Sequence, residues 1–237
     1  MQYKTELHAH TALVSPCADI PPEDEIERYV GAGYTTVVVT DHYCNYVIDN
    51  AGETWEQKLD HYLSGYRTLK KLAAGRLNVL LGCELRFTEN FNDYLVFGMD
   101  EECLRTYPDL HKMTLKTFSA FAREKGLLLV QAHPFRNGMT VVKPQLLDGV
   151  EAFNGHNGHE SRNYLANELA NRYGLIKTSG SDFHHPQSVV AGGILTDAPV
   201  TSTEQLIILL RSGDYTLICQ GPAAERDGIT DMPAKEN

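Results

Sequence analysis

No stretch of this 237-residue chain is apolar over the length needed to cross a membrane, and its opening Met1-Gln2-Tyr3-Lys4 has neither the basic nor the apolar region of a secretory signal. The expectation is a cytoplasmic protein without a membrane partner. A disulfide framework is equally absent: the five cysteines are odd in number and none forms Cys-x-x-Cys, which fits a reducing compartment. There is no basic surplus. The net charge of −10 argues against a polyanion as main partner, so no stable nucleic-acid binding is expected, while small anions stay open because a local metal cluster outweighs a distant acidic surface. The glycines at Gly31, Gly33, Gly192 and Gly193 read as turn residues, with no phosphate-cradling or dinucleotide loop around them. No internal repeat, low-complexity block or linker divides the chain. One domain over residues 1–220 is expected, and the polar, aperiodic "GPAAERDGITDMPAKEN" at 221–237 reads as a tail or surface extension.

What is present is an ordinary soluble composition, 42% hydrophobic and 22% charged, in which strand-like and helix-like segments take turns. "YKTEL", "TTVVVT", "NVLLGCEL", "DYLVFG", "LLLVQA", "GVEAF", "LIKTSG" and "YTLICQ" read as short strands, with helical stretches between most of them. Pro21–Val30 carries proline and acids suited to a first turn and stops at Gly31 and Gly33. Residues about 160 to 173 put Leu165, Leu169 and Tyr173 on one face and end at Gly174. Such alternation predicts an α/β fold with mostly parallel strands and helices outside them.

The ionisable residues fall on that map in a pattern. In "ELHAHT" a strand would turn His8 and His10 to the same side, with Ala9 on the other. Asp41 and His42 follow the second strand ("VVVTDH"), Glu84 the third ("LLGCE"), His133 a later one ("LVQAHP"), and Asp182 and His184 another ("TSGSDFH"). Carboxyl ends of parallel strands are where such folds gather their sites. Side chains of this kind, converging unpaired in a buried volume, would cost several kcal/mol apiece, a cost that metal ions remove.

This ordered set resembles the polymerase and histidinol phosphatase (PHP) superfamily, from about residue 3 to 195, and "GVEAFNG" and "LANRYGLIKTSGSDFH" are similar to its later segments. The resemblance implies a distorted (β/α)7 barrel whose open end holds two or three divalent metals and hydrolyses phosphoesters. Carried over, His8, His10, Glu84 and Asp182 would hold one ion, Glu84 would bridge to a second near His133, and His42 with His184 would hold a third. The sequence departs from the pattern in two places. Where many members have a further His or Asp after the first pair, "TALVSPCADIPPED" offers Ser15, Cys17 or Asp19, and near the fourth strand only Asp93 and Asp100 occur, so two ions are expected before three. Asn154 fills a position after "GVEAF" as a neutral oxygen donor to metal or substrate. His156 and His159 lack the Glu of a zincin motif and read as residues of the site's mouth.

Imidazole and carboxylate without thiolate suit Mn²⁺, Fe²⁺ or Zn²⁺. Water between two such ions would ionise near neutral pH and attack phosphorus, which requires no side-chain nucleophile. Asp41 is a candidate to orient His42 or shuttle a proton, or a loop cap; Arg136, in "AHPFR", suits bidentate binding of a small phosphorylated substrate. Cys44 and Cys83 read as core fillers, and Trp55, Tyr62 and Tyr66 as packing for the segment from about 43 to 60, which is long enough to form a lid. The alternatives are an amidohydrolase-like enzyme, for which no metal-bridging lysine is evident, and a non-catalytic PHP module. The alcohol half of the substrate is not encoded in any motif.

Overall fold

Apolar and β-branched runs become the strands of one curled sheet, seen in a computed structural model that describes residues 2–235. In chain order the elements are β1 (Tyr3–Ala9), α1 (Pro22–Gly31), β2 (Tyr34–Val39), β3 (His42–Tyr43), α2 (Asn45–Ile48), α3 (Trp55–Ala73), β4 (Asn78–Arg86), β5 (Asp93–Phe97) and α4 (Glu101–Thr106). There follow α5 (Leu115–Lys125), β6 (Leu128–Gln131), β7 (Gly149–Asn154), α6 (Asn163–Tyr173), β8 (Ile176–Gly180), β9 (Ile194–Thr196), α7 (Thr203–Ser212), β10 (Thr216–Leu217), α8 (Gly221–Asp227) and β11 (Met232–Pro233). The strand order is β11-β10-β9-β1-β2-β4-β5-β6-β7-β8, with β3 beside β4.

The sheet curls until its ends approach. Beyond β8, Phe183 N donates to His8 O (3.4 Å) and His10 N donates to Phe183 O (3.1 Å). Glu6 strengthens this closure, accepting from the backbone N–H groups of Leu7, His8 and Ser181 and from the Ser181 hydroxyl. β2 shows why its run "TTVVVT" lacks alternation: Val38 packs in a cluster with Leu7, Leu95, Val130 and, from α7, Leu206 and Leu210, while Val37 and Val39 face Ile26 and Tyr29 of α1 and Leu69 of α3. Both faces are covered, as a parallel strand requires.

Three expectations change. β5 runs antiparallel to both β4 and β6, with no helix between β4 and β5, so the βα alternation is interrupted and the sheet is mixed rather than mostly parallel. On α6 the buried positions are Asn163, Ala166 and Ala170, whereas Leu165 and Leu169 border them and Tyr173 is exposed; small alanines let the helix lie close on its sheet, displacing the larger side chains from the predicted face. The stretch from 221 forms α8, which buries Ala223 and Ala224, and β11, which pairs with β10; Glu236 and Asn237, the end of that stretch, lie outside the described residues. Other readings hold. α1 ends at Gly31, Gly33 and Gly174 sit at positive φ, Cys44, Cys83 and Tyr62 are buried, and Trp55 and Tyr66 pack against the same cluster. Among the described residues no helix is long and apolar enough to cross a membrane.

One glycine marks where a helix touches the loop after β1. A Cβ on Gly65 of α3 would stand 2.1 Å from Thr11 Oγ1 and 2.6 Å from Asp41 Oδ2. Gly65→Ala gains about 1 kcal/mol of helix propensity but overpacks this contact at about 1–3 kcal/mol. Net destabilisation is expected; urea denaturation checks it, and a variant as stable as wild type would show that α3 recedes freely from Thr11.

Candidate metal centre

The seven predicted ligands meet in one place. His8 is on β1 and His10 just beyond it, His42 opens β3, His133 follows β6, and Asp182 and His184 follow β8. Glu84 is the exception to the strand-end pattern: β4 pairs β2 through Asn78–Leu81, then continues past the end of β2 and pairs β5, so that Glu84 lies in mid-strand yet level with the other ligands. His133 and Asp182 are held at φ +27° and +49°, a left-handed conformation that side chains other than glycine adopt at a cost of about 1–3 kcal/mol and that recurs at functional sites.

The donor atoms stand at the spacing of ligands round an ion. His8 Nε2 is 3.1 Å from His10 Nε2 and 3.3 Å from both Glu84 Oε1 and Asp182 Oδ1; His10 Nε2 is 3.3 Å from Glu84 Oε2 and 3.4 Å from Asp182 Oδ1. Metal bonds of about 2.0–2.2 Å in tetrahedral array separate neighbouring ligand atoms by roughly 3–3.5 Å. His133 Nε2 (3.1 Å) and His42 Nδ1 (2.9 Å) complete the ring around Glu84. The last contact is not directed as a hydrogen bond, which leaves buried His42 Nδ1 without a partner of that kind. Donor atoms fall into overlapping sets, His8–His10–Asp182, His8–Glu84–His133, His10–His42–His184 and His42–Glu84–Asp93, each within 4.8 Å.

The tautomers strengthen the fit. His8 Nδ1 donates to Glu151 Oε1 at 2.8 Å, because a carboxylate only accepts. Ser15 donates its one hydroxyl proton to Asp41 Oδ1 at 2.7 Å and so accepts from His10 Nδ1 at 3.1 Å. Both Nε2 atoms then present lone pairs to each other at 3.1 Å, an arrangement that calls for a cation between them. Burial opposes charge on His8, but Asp182, Glu151 and Glu84 hold its pKa well above the ordinary imidazole value. Burial likewise opposes charge on Glu84 and Asp182, yet the imidazoles around them hold both well below the carboxylate range. The residues present therefore fit divalent ions.

The other candidates divide. Arg136 borders a cavity of about 420 Å³ over the cluster, together with Cys17, Tyr46, Arg86, His156, His159 and His185. Burial pushes His156 down to about 4 and lowers His159, so these stacked rings, 4.4 Å apart, are neutral near pH 7. A larger cavity, about 630 Å³ beside the amino end of β4, is lined by none of these ligands, and the chemistry favours the smaller one. Asp41 spends its oxygens on Thr11 N, Thr11 Oγ1 and Ser15 Oγ, all at 2.7 Å; through Ser15 it reaches the His10 ring and the His42 N–H rather than the cavity. Asn154 directs its amide N–H groups to Glu151 Oε2 and Asp182 Oδ2 at 2.9 and 3.1 Å, and its oxygen accepts from His156 N and Ser161 Oγ. Asp19 bonds His185 Nδ1 instead of joining the cluster.

Sequence reasoning missed Glu151, Glu6 and Arg86. Glu151 stands three residues before Asn154 in "GVEAFN", and its second oxygen accepts from His133 N at 2.9 Å. Arg86 lies two residues after Glu84 on β4 and so shares its face, the signal that could have found it; its guanidinium forks onto Asp93 at 2.6 and 2.7 Å.

Comparisons with known proteins bear on the fold. Among solved structures, a two-domain protein from Bacteroides vulgatus ATCC 8482, described as containing a predicted PHP-like metal-dependent phosphoesterase, superposes with a TM-score of 0.66 at 14% identity over 92% of this chain, which spans 64% of that one. The lesion-specific endonuclease PfuEndoQ from Pyrococcus furiosus gives 0.60 at 15% identity, covering 92% of this chain and 58% of its own. An amidohydrolase from Chromobacterium violaceum with bound sulfate gives 0.53 at 16%, over 92% of this chain and 99% of that one. At such identities the likeness shows the fold. No curated protein matches the chain in sequence. The PHP domain model matches residues 6–210, the span that contains every one of these ligands, and the chain belongs to the PHP domain family.

Proposed function

We propose that the chain is a metal-dependent phosphoesterase acting on a small phosphorylated molecule in the 420 Å³ cavity. The observation that carries this reading is Arg136: it faces the cavity beside the imidazole–carboxylate cluster, and among the described residues no carboxylate lies within ion-pair distance of its guanidinium. An unpaired guanidinium above such a cluster suits the non-bridging oxygens of a phosphoryl group. Arg86, steadied by Asp93, adds positive charge to the same wall.

In this reading His8, His10, Glu84 and Asp182 hold one ion, Glu84 and His133 a second, and His42 with His184 a third, drawn from Mn²⁺, Fe²⁺ or Zn²⁺. Such ions supply positive charge at phosphoryl oxygens and lower the pKa of water. The chain's own contribution is placement. Glu151 fixes the tautomer of His8, Asp41 through Ser15 fixes that of His10, and Asn154 holds Asp182. Asp41 is thus a positioning residue in preference to a proton shuttle, and Asn154 acts through Asp182. The neutral rings of His156 and His159 add no charge to the wall beside the two arginines. β1, β2, β4, β5, β6, β7 and β8 would be the seven staves of the barrel.

The expectation that nucleic acid is excluded does not stand. A lesion-specific endonuclease shares the fold, so the overall charge of −10 is no guide to substrate. The cavity's size favours a small molecule, and the assay arbitrates: metal-loaded protein offered phosphorylated metabolites, an abasic duplex and a set of amides and lactones should release phosphate from the first group and lose that activity to a chelator. Cleavage of the duplex alone would replace the small-molecule reading; turnover of amides or lactones alone would favour amidohydrolase chemistry.

Three substitutions test the residue roles. Glu151→Gln keeps shape but loses the charge behind His8, and metal affinity measured by competition with a chelator should weaken about ten- to a hundredfold. Asp182→Asn, chosen because asparagine tolerates the left-handed backbone, should cut activity by orders of magnitude with an unchanged far-UV spectrum. Arg136→Ala should leave metal content intact and reduce kcat/KM about ten- to a hundredfold, the loss of a charge-assisted bond worth roughly 1.5–3 kcal/mol, with lysine restoring only part. Wild-type kinetics in Arg136→Ala would return that residue to the surface.

A further inference from the structure

A second group of ligating side chains lies away from the cluster. Asp49 caps the carboxyl end of α2, and Asp109 and His111 sit in the turn between α4 and α5. One donor atom from each lies within 4.8 Å of the other two. None belongs to the cluster or lines its cavity. The two aspartates are exposed, but His111 is fully buried, and neither of its ring nitrogens has a hydrogen-bond partner. Its Nε2 stands 3.4 Å from Asp49 Oδ1 without the direction of a hydrogen bond.

We propose that Asp49, Asp109 and His111 form a structural site for one divalent transition-metal ion, with water completing its coordination on the open side. The donor set, two carboxylates and one imidazole, suits Zn²⁺ or Mn²⁺ over Ca²⁺ and Mg²⁺, which take oxygen ligands. The competing cation is Lys112, whose ammonium stands 3.4 Å from Asp49 and 3.1 Å from Asp109. It neutralises the carboxylates but leaves the buried imidazole unpartnered, a cost that an ion would relieve at Nε2. With its side chain half exposed, Lys112 yields the place by rotating into water. The bound ion would join the segment that carries Tyr46, part of the cavity wall, to the turn at 109–112.

The test is equilibrium dialysis of the full chain against micromolar free Zn²⁺, with bound zinc counted by mass spectrometry. Asp49→Asn with Asp109→Asn, exposed and nearly isosteric changes that leave folding intact, should hold one ion fewer per chain than wild type whatever the total. Equal content would overturn the site and assign any extra zinc to the histidines at the mouth of the cavity. Lys112→Met, which removes the competing cation, should tighten binding of that ion severalfold; unchanged or weaker binding would show that the ammonium and the ion do not share these carboxylates and would overturn the site. Because the readout is a difference between variants, loss of the main cluster's metal would not mimic either result.

Discussion

Two imidazole nitrogens turned toward each other, 3.1 Å apart and fully buried, each in a ring whose other nitrogen is already engaged, set the demand that the surrounding structure answers. Left alone they repel, and the carboxylates beside them would pay a desolvation cost of several kcal/mol each. Together, imidazoles and carboxylates are tolerable only with positive charge among them, from protons or from metal. Keeping His8 and His10 in that posture takes three further carboxylates. Glu151 grips the His8 ring, Asp41 grips Ser15 and through it the His10 ring, and Glu6 ties the backbone at His8 to Ser181 across the closure of the sheet. Glu6 has no cationic side chain bonded to it; burial raises its pKa, and backbone and serine donors oppose the rise. The closure of the fold and the posture of the ligands are therefore one network, and a ligand cannot be misplaced without loosening the junction of β1 with the residues after β8.

This dependence explains what could be read from the chain and what could not. Ligands that follow apolar runs, such as His133 after "LLVQA" or Asp182 after "IKTSG", advertise themselves because a strand's hydrophobic pattern stops where they begin. His8 and His10 advertise themselves by alternation. Glu151 does neither: it is an acid inside an apolar strand, and only the three-dimensional approach of β7 to β1 gives it a partner. The antiparallel return of β5 was equally hidden, because "DYLVFG" reads the same in either direction and the short connection from β4, residues 87–92, holds no helix to betray the reversal. The α6 face was misassigned for a related reason. Periodicity ranks large apolar residues first, whereas close helix-to-sheet packing selected Ala166 and Ala170.

Asp41 and Asn154 illustrate a subtler limit. Both lie next to the cluster in sequence and in space; adjacency suggested a donor to metal or substrate for Asn154, and for Asp41 a role in orienting His42, in shuttling a proton or in capping a loop. Hydrogen-bond geometry instead places each one step back, holding a neighbour that faces the site. Sequence registers that a polar residue belongs to a site, but not its distance from the chemistry, which depends on which of its atoms other groups have already claimed.

The floor and the wall of the cavity have different origins. Ligands of the floor sit on strands or within four residues of a strand end, where backbone pairing fixes them on both sides. Most of the wall residues, Cys17, Tyr46, Arg136, His156, His159 and His185, come from short helices and loops between the strands, with Arg86 the exception on β4. An imidazole–carboxylate cluster built on rigid strands and a cavity wall built on loops separate two requirements: the floor must hold charge in a fixed array, whereas the wall is free to vary in shape. Changes in the wall leave the junction of β1 with β8 untouched, because no wall side chain takes part in the Glu6, Glu151 or Asp41 networks. The physical consequence is that the wall of such a fold can change while the charged array of the floor keeps its geometry.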